Sequence, residues 1–240
     1  MSRDSRSDRR DLILSAIIED FISTSMPVGS RKIVQEWNIK VSPATIRNEM
    51  ALLEEEDFIF SPHTSSGRIP TCKGYRKFVD NFLDFEKDKK KITRVFEKKL
   101  EEKKISRLEN EIFDIVALLA EITGEVSFAT LPKKRTFYLG ISKILKKPEF
   151  ILSPEKSSEI VEVLEGGDEF IDFLESLPLS PKEIKIIIGE ENIIPQIKSC
   201  SLLFCQYQKY NYSSFLGVIG PTRMKYGLIH AAIDFVRHNF

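Results

Sequence analysis

The sequence predicts an α+β chain of two domains joined by a helical connector, and three observations predict it. Residues 1–83 carry helix-period apolar patterns punctuated by capping signals and one short hairpin. Residues 84–111 shift to ten bases and eight acids with few apolar side chains. Beyond Gly124, strand-like apolar runs alternate with helical ones, which reads as a mixed second domain over 112–240. A chain of 240 residues with 42% apolar content is long enough to bury a core in each half.

Taken in order, Leu12, Ile13, Ala16, Ile17 and Phe21 recur at three- and four-residue spacing and predict an amphipathic helix ending near Ser25. Met26-Pro27-Val28-Gly29 breaks it. Ser30 then stands as an N-cap for a short helix through Trp37, closed by Asn38. Ser42-Pro43 is a second start signal, a capping hydroxyl followed by proline at the first helical position, and that helix runs to Glu56. Phe58-Ile59-Phe60 and Gly67-Arg68-Ile69 are short strands around a polar loop, which predicts a hairpin. Thr71 caps a helix through Tyr75, Phe78, Val79 and Phe82. Three helices with a tight turn before the third, then a hairpin, are the layout of a winged helix-turn-helix over residues 1–83.

The connector over 84–111 reads as a solvated helix. It leads into Ile105, Leu108, Ile112, Ile115, Leu119 and Ile122, a stripe that Val116 and Leu118 widen toward ordinary domain packing and away from a coiled coil. Strands are expected at Val126–Leu131, Ile184–Ile188, Leu202–Tyr207 and Phe215–Ile219. Helices are expected at 155–165, 168–176 and 222–238.

The 36 basic and 36 acidic side chains give zero formal charge, but the zero is a cancellation. Residues 31–47 carry Arg31, Lys32, Lys40 and Arg47 against Glu36 alone, and 63–77 carry Arg68, Lys73, Arg76 and Lys77 with no acid. Residues 148–240 hold eight bases against thirteen acids. Only the N-terminal patches suit a polyanion.

The helix starting at Pro43 points Ile46, Met50 and Leu53 to one side, so Ala44, Thr45, Arg47, Asn48 and Ala51 face elsewhere. That face is short and polar, with one arginine. It fits the major groove, where Arg pairs with guanine, Asn with adenine, and Ala or Thr meets a thymine methyl. Alone, the pattern equally suits a capped surface helix. Its neighbours decide: Arg31 and Lys32 open the preceding helix, and His63-Thr64-Ser65-Ser66-Gly67-Arg68 offers donors and a glycine that permits close backbone approach. Lys73, Arg76 and Lys77 extend the basic surface. The expected interface is Arg31, Lys32, Ser42, Ala44, Thr45, Arg47, Asn48, His63, Thr64, Ser65, Arg68 and Lys73.

Other chemistry finds little support. Cys72, Cys200 and Cys205 are too few and badly spaced for a disulfide framework, and Cys200 and Cys205 with distant His230 and His238 read as buried thiols more readily than as a zinc site. Gly217-Val218-Ile219-Gly220 before Thr222 and Arg223 reads as a tight strand-to-helix turn more readily than as an anion cradle. With no nucleophile motif or paired-carboxylate constellation, the expectation is a binding protein, neither an enzyme nor a cofactor or metal carrier. No apolar run of membrane length and no N-terminal apolar segment occurs, so a soluble, cytoplasmic chain without membrane contact is expected.

Gly29-Ser30-Arg31, Ser42 through Met50, Pro62 through Thr71 and Lys73-Gly74-Tyr75-Arg76 resemble the DNA-binding half of the heat-inducible transcription repressor HrcA family. Ile188 through Asn192 and Leu216 through Tyr226 resemble its GAF-like domain. The resemblance implies a repressor that binds, as a homodimer, an inverted-repeat operator called CIRCE upstream of chaperone genes, its active form maintained by a GroEL-type chaperonin. It implies Ser42, Thr45, Arg47 and Asn48 as the groove-reading helix and His63, Thr64, Ser65 and Arg68 as the wing. The family's GAF-like domain carries an inserted dimerisation module, yet here Leu131 is followed by Pro132-Lys133-Lys134-Arg135-Thr136 and then by Phe137 through Ser142, similar to the segment after the insert. A dimer would then rest on the connector and the GAF-like domain. Cys72 departs from the family's polar residue. The alternative reading is a winged-helix regulator that senses a small molecule in the GAF-like domain; a third is a protein-interaction module recruited to the chaperonin.

Overall fold

A computed structural model describes residues 3–37, 39, 41–63, 66–103, 111–131, 134–166, 168–180, 183–209 and 212–239. The chain divides into two compact units, Met1–Leu83 and Asp84–Phe240.

In the first unit, α1 (Arg3–Thr24) buries Ile13, Leu14, Ala16, Ile17 and Ile18 and stops at Ser25, whose φ of 58° ends the helix. Helix α2 (Ser30–Glu36) follows, then α3 (Pro43–Glu55), β1 (Ile59–Phe60), β2 (Ile69–Pro70) and α4 (Cys72–Asn81). Ser42 caps α3 as expected, its Oγ accepting the Thr45 N–H at 3.2 Å, and Thr71 caps α4 through the Gly74 N–H at 3.0 Å. The expected cap at Ser30 is corrected: Gly29 is the capping residue, without a side-chain bond, and Ser30 lies inside the first turn and is buried. Asn38 lies outside the described residues. Ile46, Met50 and Leu53 of α3 are buried with Ile33 of α2 and Tyr75, Phe78 and Val79 of α4. Strands β1 and β2 pair antiparallel, and Val28 adds a bridge to Arg68 through two 2.9 Å backbone bonds.

The second unit opens with α5 (Phe85–Lys103) and α6 (Glu111–Thr123), followed by β3 (Val126–Leu131) and β4 (Arg135–Leu139). Short helices α7 (Ile141–Ile144) and α8 (Pro148–Ile151) precede α9 (Pro154–Glu165) and α10 (Asp168–Ser176). Then come β5 (Ile184–Ile188), β6 (Cys200–Lys209), β7 (Tyr212–Pro221) and α11 (Tyr226–Asn239). The five strands form one antiparallel sheet in the order β4-β3-β7-β6-β5. Alternation along the strands divides the core. Val126, Phe128, Leu202, Phe204 and Ile219 pack on one side with Ile144, Phe150, Ile160 and Phe170 from α7 to α10. Helices α6 and α11 take the other face, where Ser201 and Tyr226 share a 2.9 Å hydrogen bond.

The solvated connector expected over 84–111 is corrected for α5. This helix belongs to the second unit and packs on α11: Ile92 and Phe96 are buried, Phe96 stacks on Phe235 at 4.5 Å between centroids, and Lys89 pairs with Asp234 at 3.4 Å. Buried Ile92 and Phe96, with Phe85 set 4.1 Å from the His230 ring between centroids, are enough to seat a helix that carries eight bases and five acids when the partner surface is already built. Of the stripe that follows, Ile115 and Leu119 are buried, while Ile105 and Leu108 lie outside the described residues. Strand β4 has no counterpart in the sequence expectation; it is held by pairing with β3, from Leu131 opposite Arg135 to Ser127 opposite Leu139. Among the described residues, no helix is long and apolar enough to cross a membrane.

Candidate nucleic-acid interface

Proline at the first helical position and the Ser42 cap fix where α3 starts, and the buried row Ile46, Met50, Leu53 fixes its rotation. Ala44, Arg47, Asn48 and Ala51 are therefore exposed on its opposite side, while Thr45 is half-buried and its Oγ1 lies 3.0 Å from the Ser42 Oγ.

Beside this face lies a cleft of about 440 Å³, lined among others by Gly29, Arg31, Arg47, Ser66, Gly67 and Arg68. Three sequence segments thus bring their arginines to one hollow. Gly67 makes the closure possible: a Cβ there would sit 2.6 Å from the backbone carbonyl carbons of Pro27 and Val28, where no side chain fits. Arg31 and Arg47 are exposed and carry no ion pair among the described residues. Arg68 is half-buried and pairs with Glu54 at 2.9 Å. Three cations around a hollow the size of a small ligand suit a phosphate group, which each guanidinium can meet with two N–H donors.

The other expected cations are engaged within the fold. Lys32 reaches the buried Asp20 at 2.6 Å. Lys73 donates to the Glu56 carbonyl at 2.8 Å and lies over the Phe58 ring, as does Lys77, which also pairs with Asp11 at 2.8 Å. Arg76 pairs with Asp80 at 3.2 Å. His63 is exposed at the start of the hairpin loop, its backbone N–H donating to Ser66 Oγ at 3.0 Å. Thr64 and Ser65 lie outside the described residues.

Two acids of α3 matter that the sequence reading did not single out. Glu49 is buried and accepts from Arg9 and from Arg10 at 3.2 Å, tying α3 to α1. Burial pushes its carboxyl up, but the two guanidiniums outweigh that and hold it below the usual carboxylate range. Glu54 accepts from the Ser61 N–H at 2.9 Å and pairs with Arg68. Position Glu49, three residues after a buried Ile46, is the signal that could have found the first; nothing in the sequence marks the second.

In the second unit Cys200 and Cys205 sit five apart on β6 and so face opposite sides of the sheet, where one metal ion cannot meet both. Burial pushes each thiol up to about 12. Gly220 abuts the Glu125 carboxylate, which lies 2.6 Å from where a Cβ would be, and Arg223 pairs with Glu149; an anion would meet an acid there.

A helical unit with an arginine-lined cleft is thus followed in sequence by a mixed α/β unit. Residues 78–229 match the family model described as HrcA protein C terminal domain. The chain belongs to the HrcA family. It is 27% identical over 327 aligned positions to a heat-inducible transcription repressor HrcA of Brevibacillus brevis, covering 95% of each chain. Those positions outnumber the 240 residues present, so the relative carries a stretch that this chain lacks. Relatives of the same description from Acidothermus cellulolyticus and Mycolicibacterium vanbaalenii are 45% identical over 129 residues and 41% over 136. These alignments take in 52% and 55% of the chain and span 37% and 38% of those relatives' length. The fold is also that of a crystal structure described as a hypothetical protein, with a TM-score of 0.75 at 19% identity over 96% of this chain and 95% of that one.

Proposed function

We propose that the chain represses heat-shock genes by binding an inverted-repeat operator of CIRCE type as a homodimer, through a winged helix-turn-helix formed by residues 1–83. The observation that carries this reading is the meeting of Arg31, Arg47 and Arg68 on one cleft beside the exposed Ala44, Arg47 and Asn48 of α3. In it, α3 is the recognition helix, the β1–β2 hairpin the wing, Arg47 and Asn48 read base edges, and Arg31 and Arg68 meet phosphate. Ser42 positions the helix through its cap, and His63, Thr64 and Ser65 supply the wing tip. Lys32 and Lys73, tied up by Asp20 and Glu56, contribute less than their charge suggests.

Two copies about a two-fold axis place their recognition helices in successive major grooves, roughly 34–36 Å apart, so the site is a pseudo-palindrome. The longer alignment to the Brevibacillus brevis relative supports the loss of an inserted module, which we place between β3 and β4, leaving the α5–α6 region and the GAF-like unit to hold the dimer. Family membership supports a GroEL-type chaperonin as the modulator, and its addition is expected to strengthen operator binding.

Titrating the inverted repeat against a scrambled duplex at two salt concentrations, with the mass of the complex determined, tests the reading. Preference for the repeat with two chains per duplex is expected; equal affinity for both duplexes refutes it. Arg47→Ala is expected to cost about 1–3 kcal/mol on the operator and to relax base preference at one position of each half-site. Equal losses on operator and scrambled duplex would remove Arg47 from base readout.

A further inference from the structure

Resting on that DNA-binding reading, we propose that Glu54 is a specificity-determining positioning residue, which clasps both arms of the wing to the recognition helix and thereby fixes the angle at which the wing meets the backbone. Its Oε1 accepts the N–H of Ser61, just after β1, and its Oε2 takes the guanidinium of Arg68, just before β2. One carboxylate near the C-terminal end of α3 thus holds the two ends of the 61–68 loop. The clasp is not saturated. Arg68 Nη1 reaches the Ser66 carbonyl only at a stretched 3.5 Å, and its buried Nε has no partner among the described residues. Nη1, weakly engaged, therefore keeps N–H donors for a phosphate entering the cleft that Arg68 lines, while Glu54 holds Nη2 in place.

Two consequences of opposite sign follow from one side chain. A wing fixed against α3 lets phosphate contacts and groove contacts form in a single register without ordering the loop first, which favours the operator. A carboxylate beside Arg68 weakens attraction to any phosphate, which disfavours random sequence. Glu55, exposed on the same helix with no ion pair among the described residues, carries the same charge without the clasp.

The test compares Glu54→Gln and Glu55→Gln in the full chain, on a duplex that the wild-type protein selects from a random pool and on a scrambled duplex. Glu54→Gln should weaken the selected duplex about tenfold through lost preorganisation and tighten the scrambled one about threefold through the lost acid. Glu55→Gln should tighten both by one common factor. Thermal melting of each variant accompanies the titrations. If Glu54→Gln matches Glu55→Gln, or weakens both duplexes alike, Glu54 has no part in specificity. If the wild type selects nothing from the pool, it is the DNA-binding reading that fails.

Discussion

Truncating Phe96 to alanine is expected to destabilise the second unit by about 3–5 kcal/mol, the usual cost of emptying a buried aromatic site. Phe96 is fully buried and stacked on Phe235 of α11, and Ile92 one turn earlier is buried beside it. Helix α11 in turn covers β5, β6 and β7, so a loss at the α5–α11 contact spreads into the sheet. Hydrogen exchange reads the effect: amides of β6 and α11 should lose about two to three and a half orders of magnitude of protection, the equivalent of that free energy. A solvated connector would make the same substitution nearly silent. Unchanged protection in β6 and α11 would therefore return α5 to that role.

Replacing Glu49 by alanine is expected to destabilise the first unit by about 2–3 kcal/mol, toward the low end for a broken buried ion pair because Arg9 and Arg10 keep some access to water. Among the described residues Arg9 donates to this carboxylate, and its Nε lacks a partner. Because the folded protein holds the Glu49 carboxyl below its ordinary range, its stabilising contribution is complete above the unfolded carboxylate's titration and fades as pH falls through the folded value. The gap in stability between wild type and Glu49→Ala should therefore narrow on acidification. Urea titrations at neutral and acidic pH, followed through helix content of the first unit, measure it. A gap that stays constant or widens toward acid would show that the loss does not come from the ionised Arg9–Glu49–Arg10 link.

Much of the first unit was legible because its signals are local. Ser42-Pro43 and Thr71 place helix starts within a residue, since a capping hydroxyl and the amide it serves lie three positions apart in the chain. The failed cap at Ser30 shows the limit. Gly29 can take the capping conformation as well, and burial against the core draws Ser30 into the helix. The strands Val126–Leu131 and Ile184–Ile188 were legible as apolar runs, whereas β4, with Arg135 and Thr136 in it, owes its state to its neighbour β3. Charge counting named the basic residues of the first unit but could not sort them. Arg31 and Arg47 are exposed at the cleft, while Lys32, Lys73, Arg76 and Lys77 are spent on Asp20, Glu56, Asp80 and Asp11.

The element types of the first unit, the polar face of α3 and the segregation of basic and acidic charge are all readable from the chain, because each depends on residues within a turn or two of one another. The meeting of Arg31, Arg47 and Arg68 on one cleft, the anchoring of α3 and the hairpin by Glu49 and Glu54, and the packing of α5 on α11 came from the folded chain alone. Those facts depend on side chains from separate segments meeting at 3–5 Å, with the desolvation and pairing that only contact brings, and no local pattern carries that distance.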